Sequence, residues 1–235
     1  MQPPPGLSLL KPGQVCRLQC SLYGLKQASR QWYARLSSFL VSHGYKHSTS
    51  DHSLFLKFSS TTVTALLVYV DDIILAGNNI HEITHITYLL DQTFKIKDLG
   101  DLKFFLGLEV ARNASGIHLS QRKYVLDILS DNGMLASRPA STPMDSGTRL
   151  HASSGTLLSD PSTYRRLIGR LIYLTTTRSD ITHAVQHLSQ FVSNPTSTHH
   201  QATFRVLRYL KRAPGSGIFL DANSSIQLKA FSDSD

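Results

Sequence analysis

The sequence runs to 235 residues, with 41% apolar side chains, a net charge of +8 and two cysteines. That length can bury a proper core in one large domain or two small ones. No secretory signal precedes the body of the chain at Met1 to Gly6, and no apolar stretch approaches the ~20 residues of a membrane span, so a soluble intracellular protein is expected.

The first thirteen residues are rich in Pro and Gly and read as extended coil. A short strand is expected around Val15 to Leu18, with Cys16 and Cys20 as reduced, half-buried thiols, because no further zinc ligands stand at suitable spacing. A turn at Gly24 then enters a helix whose Trp32, Leu36, Phe39 and Leu40 form one apolar stripe, and Gly44 ends it. Leu54 to Leu56 reads as strand, followed by a second, apolar strand from Thr62 to Val70.

Asp71 and Asp72 interrupt that apolar run, which resumes at once with Ile73 to Ala76. Burying two adjacent carboxylates unpaired would cost several kcal/mol, about the penalty of a desolvated charge. Two alternatives follow: a hairpin tip in water, or carboxylates that face cations. Asp-Asp is a poor substitute for the Asn-Gly or Asp-Gly of tight hairpins, but a good hard-oxygen site for Mg²⁺.

Asn78 or Asn79 caps the next helix, which carries Ile80, Ile83, Ile86 and Leu90 at helical spacing. Asp101 to Ala111 reads as one strand, Asn113 to Gly116 as a turn, and Ile117 to Leu119 as the return strand. Ser120 is expected to cap a short helix that ends at Asn132-Gly133. Residues 137–160, rich in Ser, Pro, Gly and Thr, read as a linker. Asp160-Pro161 opens an amphipathic helix through Thr175, and two more follow near Asp180–Val192 and Thr198–Arg212. A final hairpin is expected from Gly217–Leu220 to Ile226–Phe231 through Asn223-Ser224. The pattern is that of an α+β fold with an antiparallel sheet and helices on one side.

Charge is concentrated late in the chain. Between Tyr164 and Arg212 stand Arg165, Arg166, Arg170, Arg178, Arg205, Arg208, Lys211 and Arg212 against the single acid Asp180, so this segment carries +7 of the net charge. Such concentration points to a polyanion, most simply nucleic acid. Arg205, Arg208 and Arg212 recur at i, i+3 and i+7 as one phosphate-facing stripe, with Phe204, Leu207 and Leu210 behind. His183 with His187, and His199 with His200, lack a third partner for a metal and read as surface or cap histidines.

Taken in order, Ser21-Leu22-Tyr23-Gly24-Leu25-Lys26-Gln27-Ala28, Tyr69-Val70-Asp71-Asp72, Phe104-Phe105-Leu106-Gly107-Leu108-Glu109, Arg166-Leu167-Ile168-Gly169-Arg170-Leu171-Ile172-Tyr173-Leu174, Leu207-Arg208-Tyr209-Leu210-Lys211 and Phe231-Ser232-Asp233-Ser234-Asp235 make a specific set. In that order they resemble the reverse transcriptase region of copia-type (Ty1/copia) retrotransposon Pol polyproteins. The resemblance implies fingers and palm over 1–113, the start of a thumb at 114–136, a linker at 137–160, a basic helical connection at 161–222 and the start of an RNase H-like domain at 223–235. It also implies a divalent metal, Mg²⁺ or Mn²⁺, held by Asp71 with Asp72 in support. Tyr23, Gly24 and Lys26 would line the incoming nucleotide and template, and Tyr69 would lie near the primer end. Phe105-Leu106-Gly107 would grip the primer, and Asp233 would be the first acid of the nuclease. Implied partners are an RNA template, a DNA primer and deoxynucleotides, in the cytoplasm or in virus-like particles, with no membrane. Lys26 could equally be an ordinary helix-start lysine, and Phe104 and Phe105 ordinary core.

In this family Met1 to Gly6 corresponds to sequence just after the strand that carries the other metal-binding aspartate. The resemblance therefore implies a fragment that is inactive alone. A non-catalytic nucleic-acid-binding remnant is the alternative, and a magnesium-dependent phosphohydrolase lacks the further acidic cluster it would need.

Overall fold

A computed structural model describes residues 15, 17, 19, 22, 24–145, 147, 149–225, 227, 230 and 232. Cys16, Cys20, Tyr23, Asp233 and parts of the strands expected near 15–18 and 226–231 lie outside the described residues. The chain divides into two compact units, Met1–Gly100 and Asp101–Asp235.

In the first unit, helix α1 (Ala28–Ser42) buries Leu36 and Leu40. Gly44, at φ +86°, ends it and turns the chain into β1 (Lys46–His47). β2 (Leu54–Ser59), β3 (Thr62–Tyr69) and β4 (Asp72–Gly77) complete an antiparallel sheet in the order β1-β2-β3-β4. Asn79 caps α2 (Ile80–Phe94) by accepting from the backbone N–H groups of His81 and Glu82. Phe55, Leu66 and Val68 from the sheet pack with Leu36, Leu40, Ile86 and Leu90 from the helices. The apolar run of β3 alternates in the fold: Thr64, Leu66 and Val68 face the core, while Val63 is exposed.

The second unit opens with β5 (Phe104–Phe105) and β6 (Leu108–Asn113), paired through Phe105 and Leu108. The single strand expected from Asp101 to Ala111 is thus a hairpin. It breaks because Leu106 (φ +49°) and Gly107 (φ +77°) are both left-handed, which a tight two-residue turn requires. β7 (Gly116–Ser120) follows the Asn113 turn, where the Asn113 side chain accepts from the backbone of Ser115 and Gly116.

Helix α3 (Arg122–Asp131) is not capped by Ser120, which belongs to β7. Glu109 on β6 accepts from the Lys123 backbone N–H at 2.7 Å, doing the capping from another element. α4 (Ser162–Leu174) starts beside Asp160, whose carboxylate accepts from the backbone and hydroxyl of Ser162. A 3₁₀ turn at Ser179–Ile181 leads into α5 (Thr182–Ser189), and α6 (Ser197–Arg212) follows. α3 to α6 bury one common core around Val125, Ile128, Leu167, Leu171, Leu188 and Leu207.

The chain then returns as β8 (Gly217–Asp221), which pairs antiparallel with β7 through Ile117–Leu220 and Leu119–Ile218. The second sheet therefore runs β5-β6-β7-β8. Among its described residues the segment expected as a linker carries no helix or named strand, yet it is tied down. Ala140 N–H donates to the Arg208 carbonyl, Leu157 bridges to Thr196, and Leu150 is buried.

Candidate active-site hairpin and nucleic-acid interface

The β3–β4 hairpin ends in the pair Tyr69–Asp72, which leaves Val70-Asp71 as its two-residue turn. Val70 sits at φ +51°, a conformation costly for a β-branched residue, so the tip is held by the strands that flank it rather than by its own preference. Ile73 and Leu75 anchor β4 to the core immediately behind the acids. Asp71 and Asp72 themselves are exposed. Exposed at the tip, the two acids carry no burial penalty and are open to water and to cations alike.

Two adjacent carboxylates on a rigid tip suit a hard divalent cation. Among the described residues no third His, Cys, Asp or Glu joins them to make a metal-binding group. Tyr69 is half exposed beside them. Gly24, at φ +86°, and Lys26 are both exposed in the turn before α1, and a Cβ placed at Gly24 would meet nothing within 4 Å among the described residues.

In the second unit, Phe105 is half-buried, while Phe104, Leu106 and Gly107 are exposed. Phe104 is therefore not core, contrary to the ordinary reading of such a residue. Tyr173 on α4 donates its hydroxyl to the Leu106 carbonyl. Nothing in the local pattern singles out Tyr173. Its i, i+3 spacing from Arg170 within the Arg166–Leu174 motif is the available signal.

The basic helices are less free than their charge suggests. Arg165 donates to the carbonyls of Val192 and Ser193 at 2.7 and 2.9 Å. Arg170 pairs with Asp131 at 2.6 Å, and the buried Arg178 with Asp180 at 2.7 Å. Lys211 donates to the Ser137 carbonyl. Arg205 reaches Thr142 at 2.9 Å and Asp145 at 3.5 Å, and its buried Nε has no partner among the described residues. The stripe expected on α6 thus divides. Arg205 turns onto the coil segment, Arg208 is half-buried at a cavity of about 280 Å³, and Arg212 is exposed. Five of the eight cations hold the fold together, which leaves Arg166, Arg208 and Arg212 as the candidate contacts for a polyanion.

His199 is a buried cap. Its Nδ1 accepts from Thr196 N–H, its Nε2 meets the His151 carbonyl, and its ring stacks on Phe191 at 3.9 Å. His183 is exposed and His187 packs edge-on to Phe191.

Residues 1–146 match the family model described as reverse transcriptase (RNA-dependent DNA polymerase). The whole chain is 44% identical over 234 residues to the retrovirus-related Pol polyprotein from transposon RE1 of Arabidopsis thaliana, of which it covers 16%. It is 35% identical over 248 residues to the corresponding polyprotein from transposon TNT 1-94 of Nicotiana tabacum, covering 18% of that chain. A putative transposon Ty5-1 protein of Saccharomyces cerevisiae is 28% identical over 99% of this chain and 76% of its own length. No solved structure matches. No helix among the described residues is long and apolar enough to cross a membrane. The motif order, the hairpin with its two acids and these likenesses converge: the chain belongs to the reverse transcriptase family of copia-type retrotransposon Pol polyproteins.

Proposed function

We infer that the chain is the part of an RNA-directed DNA polymerase that presents the catalytic aspartates and the primer-contacting turn. The observation that carries this reading is the pair Asp71–Asp72, exposed at a strand-anchored tip inside the segment that matches the family. Asp71, in the turn, would hold Mg²⁺ or Mn²⁺, with Asp72 at the first position of β4 in support. What a divalent ion supplies in such a site is neutralisation of charge on the attacking and leaving oxygens. The strands keep both carboxylates on the solvent side of the tip. Tyr69 would lie beside the primer end, and Tyr23, Gly24 and Lys26 along the incoming nucleotide and template. Phe105-Leu106-Gly107 would contact the primer, and Asp233 would be the first acid of an RNase H-like nuclease. Template, primer and deoxynucleotides are the partners this reading requires, in the cytoplasm or in particles.

The test is DNA synthesis on a primed RNA template with Mg²⁺ or Mn²⁺. It should be run with this chain alone and with the chain joined to the Pol sequence that precedes the matching segment in RE1. The joined protein should extend the primer and stop on chelation. The chain alone should extend poorly, since its described residues bring only two carboxylates together. Absence of synthesis by the joined protein sinks the reading.

A second reading, nucleic-acid binding without chemistry, is favoured by the late concentration of charge. Its surface is narrower than the sequence suggests. Replacing Arg208 and Arg212 with alanine should flatten the log–log salt dependence of binding to RNA–DNA duplex by ~0.9 for each phosphate no longer neutralised. Arg205→Ala should leave that slope unchanged and loosen the 137–160 segment instead, because Arg205 is occupied by Thr142 and Asp145. An unchanged slope in the double variant removes α6 from the interface.

A further inference from the structure

A two-residue turn with both central residues left-handed is easy for Asn-Gly and hard for Leu-Gly, because the leucine Cβ is crowded at positive φ. Leu106 nevertheless occupies φ +49°. Its carbonyl oxygen accepts the Tyr173 hydroxyl from α4. That same hydroxyl would stand 3.0 Å from a Cβ placed at Gly107. Tyr173 therefore grips one turn residue and fills the space beside the other.

The ring that carries this hydroxyl is fixed in turn. Tyr173 packs edge-to-face on Tyr124 of α3, with ring centroids 5.2 Å apart at 89°. The Arg170 guanidinium lies 5.4 Å from the Tyr124 centroid and bonds Asp131 at 2.6 Å. Arg170 and Tyr173 stand at i, i+3 on α4, so both reach the same side of the helix. A continuous set of interactions thus runs from the end of α3, across α4, to the turn.

We propose that Tyr173 is a positioning residue for the primer-contacting turn: its hydroxyl holds Leu106-Gly107 in the left-handed form in which the turn meets the primer, and Tyr124 and Arg170 hold its ring. This rests on the reading of Phe105-Leu106-Gly107 as the primer contact, and the test separates the two.

Tyr173→Phe removes only the hydroxyl of a 41% exposed side chain, so the fold is kept. Hydrogen–deuterium exchange on the 235-residue chain should show residues 104–110 exchanging about five-fold faster, the factor for one ordinary hydrogen bond, with the α4 and α6 core unchanged. Arg170→Met, which frees the ring but keeps the hydroxyl, should give a smaller change of the same sign. Anisotropy with a labelled DNA primer annealed to RNA should show affinity falling in both variants. Unchanged exchange at 104–110 in Tyr173→Phe overturns the proposal, and so does faster exchange throughout the unit, which would mark a general structural role. Faster local exchange with unaltered primer affinity retains the clamp but overturns the turn as primer contact.

Discussion

Asp180→Ala should lower the unfolding free energy by about 2–3 kcal/mol at neutral pH, at or just below the usual range for breaking a buried ion pair. The size follows from what remains behind. The Arg178 side chain is only 4% exposed, so its guanidinium would lose its counter-charge where water reaches it poorly. Asp180 accepts from Arg178 Nε at 2.9 Å and Nη2 at 2.7 Å, a bidentate pair, and from the Tyr209 hydroxyl at 2.8 Å. After truncation Arg178 retains the Ala213 carbonyl and the face of Tyr209. Those two partners, and the 39% exposure of Asp180 itself, keep the destabilisation below the extreme. Hydrogen bonding to Arg178 holds the Asp180 carboxyl below its ordinary value; burial opposes this and Tyr209 assists. A depressed folded-state value contributes stability that is complete above the unfolded value, about 3.9, and is lost as pH falls through the folded one. The gap between wild type and variant in urea melts, followed by far-ultraviolet circular dichroism, should therefore be constant near neutrality and narrow below about pH 4. A variant as stable as wild type would show that Arg178 is solvated in place.

Asp71→Asn should reduce primer extension by about 10²–10³-fold in a Pol protein that carries this segment, the order expected when one preorganised electrostatic partner is removed. Asparagine keeps the size and one oxygen of the side chain and removes the charge that would hold a divalent cation. Because Asp71 is exposed and lies in the turn rather than in the ladder, the substitution should leave stability unchanged, so reduced activity cannot be laid to unfolding. Asp72→Asn should cost less if its role is support. Full extension by Asp71→Asn would remove the hairpin from the chemistry.

Much of the local structure is legible in the sequence because its signals are short-range. The Trp32–Leu40 stripe, Gly44, the Asn79 cap and the Asn113–Gly116 turn each depend on residues within a few positions of one another. The departures share the opposite cause. The β5–β6 break is hidden because leucine does not announce a left-handed turn, and its support comes from Tyr173, far along the chain. The capping expected of Ser120 is performed by Glu109 from β6. The arginine stripe of α6 is helical as its spacing predicts, but the destination of Arg205 depends on where Thr142 and Asp145 come to lie. At the β3–β4 tip the acids are conspicuous in sequence, whereas the positive φ of Val70 is not.

The pairing of Ser120 with Gly217 also sets an order of events during synthesis. The β5–β6–β7 meander leaves the ribosome with the far side of β7 unpaired, and the strand that closes it follows only after α3 to α6 have been made. At ordinary translation rates that interval is roughly 5–20 s, long compared with hairpin formation in microseconds. Throughout it, Ile117 and Leu119 lie on an open strand edge, a template for pairing with neighbouring nascent chains. Crowded polysomes should therefore favour such mispairing, and the arrival of β8 ends the exposure of the β7 edge.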